Sequence, residues 1–423
     1  MLKKAIHVRK LYDGSLNPPK QDVVVLIDGE NIEDVVDVRQ GKEWVDEGAE
    51  WIDASDKYMT PGLIDVHVHL MMKGNGEVPE RTLATHTPGE IHLLALNNAL
   101  TAMTAGVTTL RDCGSACGIS RAVKKIVNGG FIPGPDVFIS GIPVTRTGGH
   151  CHYMGGEADS EAEIRKLIRR QQKEGIDFVK LMGTTGGTIG IAGGTTYPSL
   201  GEYRTAAEEA HALELLISMH CCSIEGVRLA VDAGTDGIEH CMFQKEADGE
   251  LVLDQALAER IAQQNIQVCH TLPALGSILW LLDRKPKDRW TPFNHSEYER
   301  ISRIQEKDFK TILFHYKAGV QYVAGSDAGW KSCNYSLGLP LALEFMGDAG
   351  LPVLEIIHSA TGRPAKYLRA QDRLGCVKKG LQADLLLLPE DPAEDMTVFH
   401  RVAQVYKKGT AVTNSLFKSK MSI

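Results

Sequence analysis

The chain has 423 residues, of which 43% are hydrophobic and 24% charged, so its length and composition suit a large globular enzyme with an accessory domain. Its net charge of −8, without a Lys/Arg block, argues against nucleic acid as a partner. We also expect no membrane or secretory segment, because no apolar run could span a bilayer and the basic residues after Met1 precede no apolar stretch.

The two ends of the chain have short β-rich patterns. Asp22 to Ile27 is an apolar strand followed by the hairpin turn signal Asp28-Gly29. Near the other end, Ala383 to Leu388 has the pattern of a buried strand that stops before Pro389. We therefore predict that residues 1–58 and 370–423 pair into one small β-sandwich domain.

Between these ends, residues 59–369 alternate short apolar strands with helical patterns. Strands are predicted at Gly62–Leu70, Val107–Cys113, Val137–Val144, Phe178–Met182, Leu215–Cys221, Gly237–Cys241, Gln267–Leu272 and Val320–Gly325. Helices separate them, for example at Glu161–Glu174 and Thr205–Leu213. Eight strand–helix units predict an α/β fold of the (β/α)8 TIM-barrel type, with a doubly wound open sheet as the alternative.

Polar side chains recur at the ends of the predicted strands, where barrel enzymes place their chemistry. His67 and His69 alternate along the first strand and therefore point to the same face. The later strand ends carry Lys180, His220, His240 and Asp327. Each has a structural explanation on its own, such as helix capping by Asp327 or a solvent-reaching Lys180. Six convergent groups instead favour a site for zinc or a similar divalent ion, with an open position for water.

Longer motifs give the chain a family resemblance. Pro61 to His69 resembles the first-strand signature of the amidohydrolase superfamily in its two-metal form with a carboxylated lysine. Gly375–Gly380 and Ala383–Leu385 resemble the segment by which such chains return to their β-sandwich. Gly106–Asp112 and Thr147–His150 are similar to the imidazolonepropionase-like branch, which includes Xaa-Pro dipeptidases (prolidase-like enzymes) and carboxypeptidases for Arg or Lys.

The resemblance implies a set of site residues. Its ligand pattern assigns His67, His69 and Asp327 to one ion, His220 and His240 to the other, and Lys180, carbamylated by CO₂, to both. Zinc is the ion that such relatives often use. Asp327 would accept the proton of a metal-bridging water and pass it to the leaving amine, while His150 would donate to the substrate carbonyl or carboxylate. The run from Gly183 to Gly194 lacks the ending of a phosphate-binding loop, so we predict an active-site loop there.

The resemblance also implies a reaction. We expect hydrolysis of dipeptides or N-acyl amino acids by a metal-bridging hydroxide, with Xaa-Pro dipeptides first and C-terminal Arg or Lys as the alternative. Cys222 departs from the prolidase-like relatives, which have a tyrosine two residues after the fifth-strand histidine. A cyclic-amide hydrolase or deaminase is a further alternative, although those relatives mostly use one metal and lack the lysine. A non-catalytic relative should have lost ligands, and all six are present.

The cellular setting follows from the cysteines and from the resemblance. Nine scattered cysteines without a Cys-x-x-Cys pair predict reduced thiols, as in a cytoplasmic protein. The resemblance implies a small-molecule or dipeptide substrate and a homo-oligomer.

Overall fold

The computed structural model describes residues 3–191 and 199–413, and strands alternate with helices through most of this part of the chain. The strands are β1 (Lys3–Leu11), β2 (Lys20–Asp28), β3 (Asn31–Asp37), β4 (Glu50–Pro61), β5 (Leu63–Val68), β6 (Val107–Asp112), β7 (Asp136–Ile139), β8 (Phe178–Met182), β9 (Leu216–His220), β10 (Gly237–Glu239), β11 (Gln267–Cys269), β12 (Leu385–Leu388), β13 (Gln404–Lys407) and β14 (Thr410–Ala411). The α-helices are α1 (Val38–Asp46), α2 (Pro79–Thr85), α3 (Pro88–Thr104), α4 (Ile119–Asn128), α5 (Glu161–Lys173), α6 (Leu200–Ala212), α7 (Ile224–Ala233), α8 (Gln255–Gln263), α9 (Pro273–Asp283), α10 (Pro292–Lys317), α11 (Gly338–Asp348), α12 (Val353–Ser359) and α13 (Gly362–Tyr367). Short 3-10 helices span His152–Met154, Lys287–Arg289 and Met396–Arg401. The predicted α/β class is confirmed.

Both ends of the chain contribute to one seven-stranded sheet, with the order β14-β13-β12-β4-β1-β2-β3. The ends meet where β12 pairs antiparallel with the last residues of β4, with Leu386 opposite Thr60. Apolar side chains of this sheet, including Ile6, Val25 and Leu385, form a buried cluster of their own. The two-layered sandwich and the domain boundaries at 58/59 and 369/370 stay predictions.

The middle of the chain forms two parallel sheets, one of β5-β6-β7 and one of β11-β10-β9-β8. Single parallel bridges connect them: Val144 with Leu181, Val68 with Ala328, and Val268 with Tyr322. The segment that carries Tyr322 and Ala328 therefore lies between β11 and β5.

That segment differs from its prediction, because Val320–Gly325 is not a regular strand. Its backbone groups bond to several different partners rather than to one continuous ladder. The amide of Ala324 donates to the carbonyl of Ser359 at 2.7 Å, and the amide of Ser326 donates to the Asp65 carboxylate at 3.1 Å. Because of these hydrogen bonds, the segment forms only isolated β-bridges with the neighbouring strands.

The helices begin and end close to where their local patterns place them. In α5, Ser160 caps the amide of Glu163, and Ile164 and Ile168 are buried at helical spacing. The helix predicted from Thr205 begins earlier, at Leu200, because Ser199 and Glu202 form a capping box. Among the helices of the described ranges, none has the length and apolar character needed to cross a bilayer.

Candidate metal centre

Three predicted ligands meet beyond the end of β5. His67 Nε2 lies 3.6 Å and His69 Nε2 lies 3.3 Å from Oδ1 of Asp327. One potential ligand atom of each residue lies within 4.8 Å of the others, and all three side chains are buried. The alternation of the two histidines along β5 therefore directs both imidazoles to one point, which the 320–328 segment completes with a carboxylate.

A second group lies beside the first. His220 ends β9 and His240 follows β10, and their ring centroids are 4.5 Å apart. The ring of His67 is 5.1 Å from that of His240, so the two groups are contiguous. Sγ of Cys222 lies beside this second group, 3.3 Å from His220 Nε2.

Lys180 occupies β8 with its amine facing the same cavity. The side chain is 1% exposed, and among residues 3–191 and 199–413 its Nζ has no hydrogen-bond partner. A buried ammonium without a partner is strongly destabilising, so the environment suits an amine that has lost its proton and reacted, or one that faces an absent anion. The structure thus brings together all six of the predicted ligands.

The orientation of His67 depends on a residue that sequence reasoning missed. Glu239 Oε2 lies 2.7 Å from His67 Nδ1, and its other oxygen accepts hydrogen bonds from Arg111 and Ser218. Burial alone would raise the pKa of Glu239, but the Arg111 guanidinium holds it well below its usual range. An ionised Glu239 favours the tautomer with the proton on Nδ1, which leaves the lone pair of Nε2 facing Asp327. One feature of the sequence could have indicated this residue. Glu239 lies inside the predicted strand Gly237–Cys241, and a buried carboxylate needs a partner.

Hydroxyl groups orient two more imidazoles. His240 Nδ1 lies 2.7 Å from Thr271 Oγ1, and His150 Nδ1 lies 2.7 Å from Thr188 Oγ1. The ring of His150 lies 4.5 Å from that of His220, so His150 borders the second group of ligands.

Burial sets the charge of these rings. It lowers the pKa of His67 to about 4 and of His150 to about 3, and it holds the pKa values of His220 and His240 well below the usual range. His69 differs, because its contact with Asp327 outweighs burial and raises its pKa. Neutral imidazoles are the form that binds a metal ion.

The backbone is unusual where the strands end at the site. His240 has φ of +66°, Cys241 has φ of +48° and Asp327 has φ of +59°, all in the left-handed region that favours glycine. Such strain persists only where surrounding contacts enforce it, and it concentrates at functional sites.

The ligands line a cavity of about 450 Å³, a volume that suits a small-molecule substrate. Met242, Leu272 and Leu275 give it an apolar wall. Gly186, Gly187 and Thr188 of the predicted active-site loop also border it, whereas residues 192–194 of that loop lie outside the described residues. Asp308, Arg300 and Lys331 add charged groups to the cavity wall, and no local pattern in the sequence indicates their position there.

Two comparisons with known proteins give matches over most of the chain. The model of the amidohydrolase family matches residues 58–412. A curated relative, ochratoxinase of Aspergillus niger, is 26% identical over 388 residues, which cover 83% of this chain and 75% of that protein.

Solved structures share the fold. A Xaa-Pro dipeptidase with methionine bound in its active site has a TM-score of 0.81 and 24% identity, covering 97% of this chain and 99% of its own. A prolidase in complex with N-methylphosphonate-L-proline has a TM-score of 0.78 and 24% identity, with the same coverage of 97% and 99%. The A. niger ochratoxinase structure has a TM-score of 0.80 and 22% identity, covering 97% and 95%.

Proposed function

The chain belongs to the amidohydrolase family, and on that basis we propose that it is a two-metal hydrolase that cleaves the amide bond of small dipeptides or N-acyl amino acids. The observation that carries this proposal is the buried amine of Lys180, which has no hydrogen-bond partner in the described residues and faces the cavity lined by the two groups of ligands. Four histidines and a carboxylate alone would suit many sites, but a buried lysine among them is chemically unusual.

The proposed scaffold is a closed (β/α)8 barrel. The two parallel sheets and the three single bridges support it, because the bridges connect the sheets through Val144 on one side and through the Tyr322–Ala328 segment on the other. The likeness to solved structures across 97% of the chain supports the same fold. In a barrel of this type, all the proposed ligands lie at the carboxyl ends of strands.

The donor set fits two divalent ions, with zinc as the first candidate. His67, His69 and Asp327 would hold one ion, and His220 and His240 the other. The ammonium of Lys180 would first lose a proton, and the free amine would then add to CO₂ and lose a second proton, which gives an anionic carbamate that would serve as a metal ligand. Two bound ions would supply Lewis acidity, lowering the pKa of water and polarising the substrate carbonyl.

Two side chains would take part in proton transfer and in substrate binding. Asp327, whose Oδ1 lies 3.3 Å from His69 Nε2, would take a proton from the attacking water and deliver it to the leaving amine. The contacts with histidine lower its pKa against the effect of burial, so it begins as the base. His150, held by Thr188, would donate to the substrate carbonyl or carboxylate.

Xaa-Pro dipeptides are the leading substrates. Support comes from the likeness of the fold to a Xaa-Pro dipeptidase and a prolidase, and from a cavity that suits a molecule of this size. Cys222 stands where prolidase-like relatives have tyrosine, and burial raises the pKa of its thiol to about 12, so the thiol is a neutral and weak donor.

Two alternatives remain within the same chemistry. The first is a carboxypeptidase for C-terminal Arg or Lys. The second, a cyclic-amide hydrolase or deaminase with one metal, leaves the buried amine of Lys180 without a role.

The test is amino-acid release from a library of dipeptides and N-acyl amino acids by enzyme loaded with zinc and bicarbonate. Release of proline would support the dipeptidase, and release of Arg or Lys would favour the carboxypeptidase. Ammonia release, or no amino-acid release from a fully metallated sample, would contradict the proposal. The Asp327→Asn variant, purified in parallel, controls for contaminating peptidases.

A further inference from the structure

Two charged side chains on the cavity wall form no ion pair with any described residue. Asp308 and Lys331 both line the cavity, and within the described ranges neither side chain forms a hydrogen bond or an ion pair. Other charged groups there are already occupied, since Glu80 accepts from the amide of Ile189 and Lys245 pairs with Glu250. The two unpaired charges are therefore available to a ligand.

Asp308 forms the acidic end. It lies on α10, and its charge acts on the thiol of Cys222, which places it on the side of His220 and His240. The neighbouring Lys307 donates instead to the carbonyl of Gly249 at 2.8 Å. Burial raises the pKa of Asp308 to about 7, against the charge of Lys307, which acts to lower it.

Lys331 and Arg300 form the basic end. Lys331 Nζ lies 4.7 Å from the centre of the Trp330 ring, and its backbone is held at φ of +46°. Burial and the nearby charge of Arg300 lower the pKa of Lys331, so the two cations lie close enough to repel each other. Arg300 also lines the cavity, where its bonds to Glu297 at 2.9 Å fix its guanidinium.

Along α10, the acidic and basic ends are farther apart than the two ends of a small zwitterion. Arg300 and Asp308 are eight residues apart on α10, which corresponds to about 12 Å along a helix. An extended dipeptide spans about 7 Å, and the long Lys and Arg side chains can bridge the remainder. A group with opposite charges at its two ends would pair both otherwise unpaired residues.

We propose that the substrate is an unblocked dipeptide, whose α-ammonium binds Asp308 and whose α-carboxylate binds Lys331 beside Arg300. This inference rests on the proposed hydrolase function and narrows it, because an N-acyl amino acid has a carboxylate but no ammonium. It makes Asp308 a specificity-determining residue for the amino end of the substrate and Lys331 one for the carboxyl end.

The experiment compares matched substrates. Initial rates would be measured for Leu-Pro, Leu-Leu and Leu-Arg, for the N-acetyl derivative of each, and for Leu-Pro amide. The wild-type enzyme should prefer the free amine over the N-acetyl form by about tenfold to a hundredfold in kcat/KM, the usual effect of one charge-assisted hydrogen bond. Asp308→Asn should remove that preference, and Lys331→Gln should remove the preference for a free carboxylate over the amide.

Controls and outcomes separate this inference from the proposed function. Glu306→Gln and Lys317→Gln change exposed charges on the same helix and should leave both preferences unchanged. Equal or faster cleavage of the N-acetyl substrates by the wild-type enzyme would overturn the inference and leave the hydrolase intact. Retention of the preferences by folded Asp308→Asn and Lys331→Gln would also overturn it. Failure to cleave any of these substrates would overturn the proposed function itself.

Discussion

Lys180 is the residue that best separates a two-metal centre from a one-metal centre. Lys180→Met keeps the apolar stem but removes the amine, so we expect metal content to fall below two ions per chain and activity to be lost. Metal analysis measures the first effect, and a carbamate signal in ¹³C NMR with labelled bicarbonate, present only in the wild type, measures the chemistry directly. Lys166→Met, at an exposed position of α5, is the matched control. Two bound ions and full activity in Lys180→Met would contradict the bridging role.

A substitution of Asp327 can distinguish metal binding from catalytic turnover at the same centre. Asp327→Asn retains an oxygen ligand but cannot accept a proton, so metal content should change little while kcat falls by about a hundredfold or more. Both quantities should be measured on the same metallated sample. A kcat close to that of the wild type would assign proton transfer to another group and leave Asp327 as a ligand only.

Residues that a local pattern can reveal were predicted, and residues that act across the fold were not. The alternation of His67 and His69 follows from strand geometry, and their convergence on Asp327 is what the structure shows. Glu239 orients His67 from 172 positions away in the sequence, and no periodicity connects the two. The position of Asp308 at the cavity depends on how α10 packs, which a helical pattern alone does not specify.

At the scale of elements, the loop after β8 positions His150. A Cβ at Gly186 would collide with Nε2 of His150, whose Nδ1 is fixed 2.7 Å from Thr188 Oγ1. Gly186→Ala should therefore displace the imidazole and lower kcat/KM by about tenfold or more without changing metal content. Gly89→Ala, where nothing lies within 4 Å of the added Cβ, is the control. Normal kcat/KM in Gly186→Ala would show that the ring moves without consequence.

The strands illustrate what local sequence can and cannot specify. β5 and β6 are buried along their whole length, and their apolar residues indicate strands although each also contains buried polar residues. Val320–Gly325 has the same apolar character but is not a regular strand, because its amides bond to Ser359 and to other groups outside a ladder. The apolar residues of Val320–Gly325 thus predicted that the segment lies among the strands. Its hydrogen-bonding pattern depends on partners that are distant in the sequence, so the local pattern could not predict it.

At the scale of the whole molecule, one buried lysine connects the seven-stranded sheet to the sheet of β5-β6-β7. Lys407 Nζ donates to Asp136 at 2.6 Å, to Asp384 at 2.8 Å and to the carbonyl of Thr108 at 3.0 Å. Asp136 begins β7 and Thr108 lies in β6, whereas Asp384 precedes β12. A single ammonium therefore contacts carboxylates from both parts of the fold.

Removing this ammonium should destabilise the whole chain in a pH-dependent way. Lys407→Met removes the ammonium that two buried carboxylates share, although Arg373 still lies 3.0 Å from Asp136 and Gln382 still donates to Asp384. We expect the free energy of unfolding to fall by about 3 kcal/mol at pH 7. Burial would raise the pKa of Asp136, but Lys407 outweighs burial and lowers it below the usual range, so this stabilisation is present above the unfolded pKa and is lost as pH falls through the folded one.

Urea denaturation between pH 7 and about pH 2 should therefore show the largest difference between wild type and variant at neutral pH. The difference should narrow as pH falls through the lowered folded pKa of Asp136, because the protonated carboxyl no longer needs the cation. Lys408→Met is the matched control, since the amine of Lys408 lies 3.5 Å from Glu30 at an exposed position and its loss should cost less than about 1 kcal/mol. A difference that stays constant with pH would mean that Lys407 stabilises through a contact that does not titrate, its hydrogen bond to the carbonyl of Thr108. The connection between the two parts of the fold would then not depend on the charge of the carboxylates.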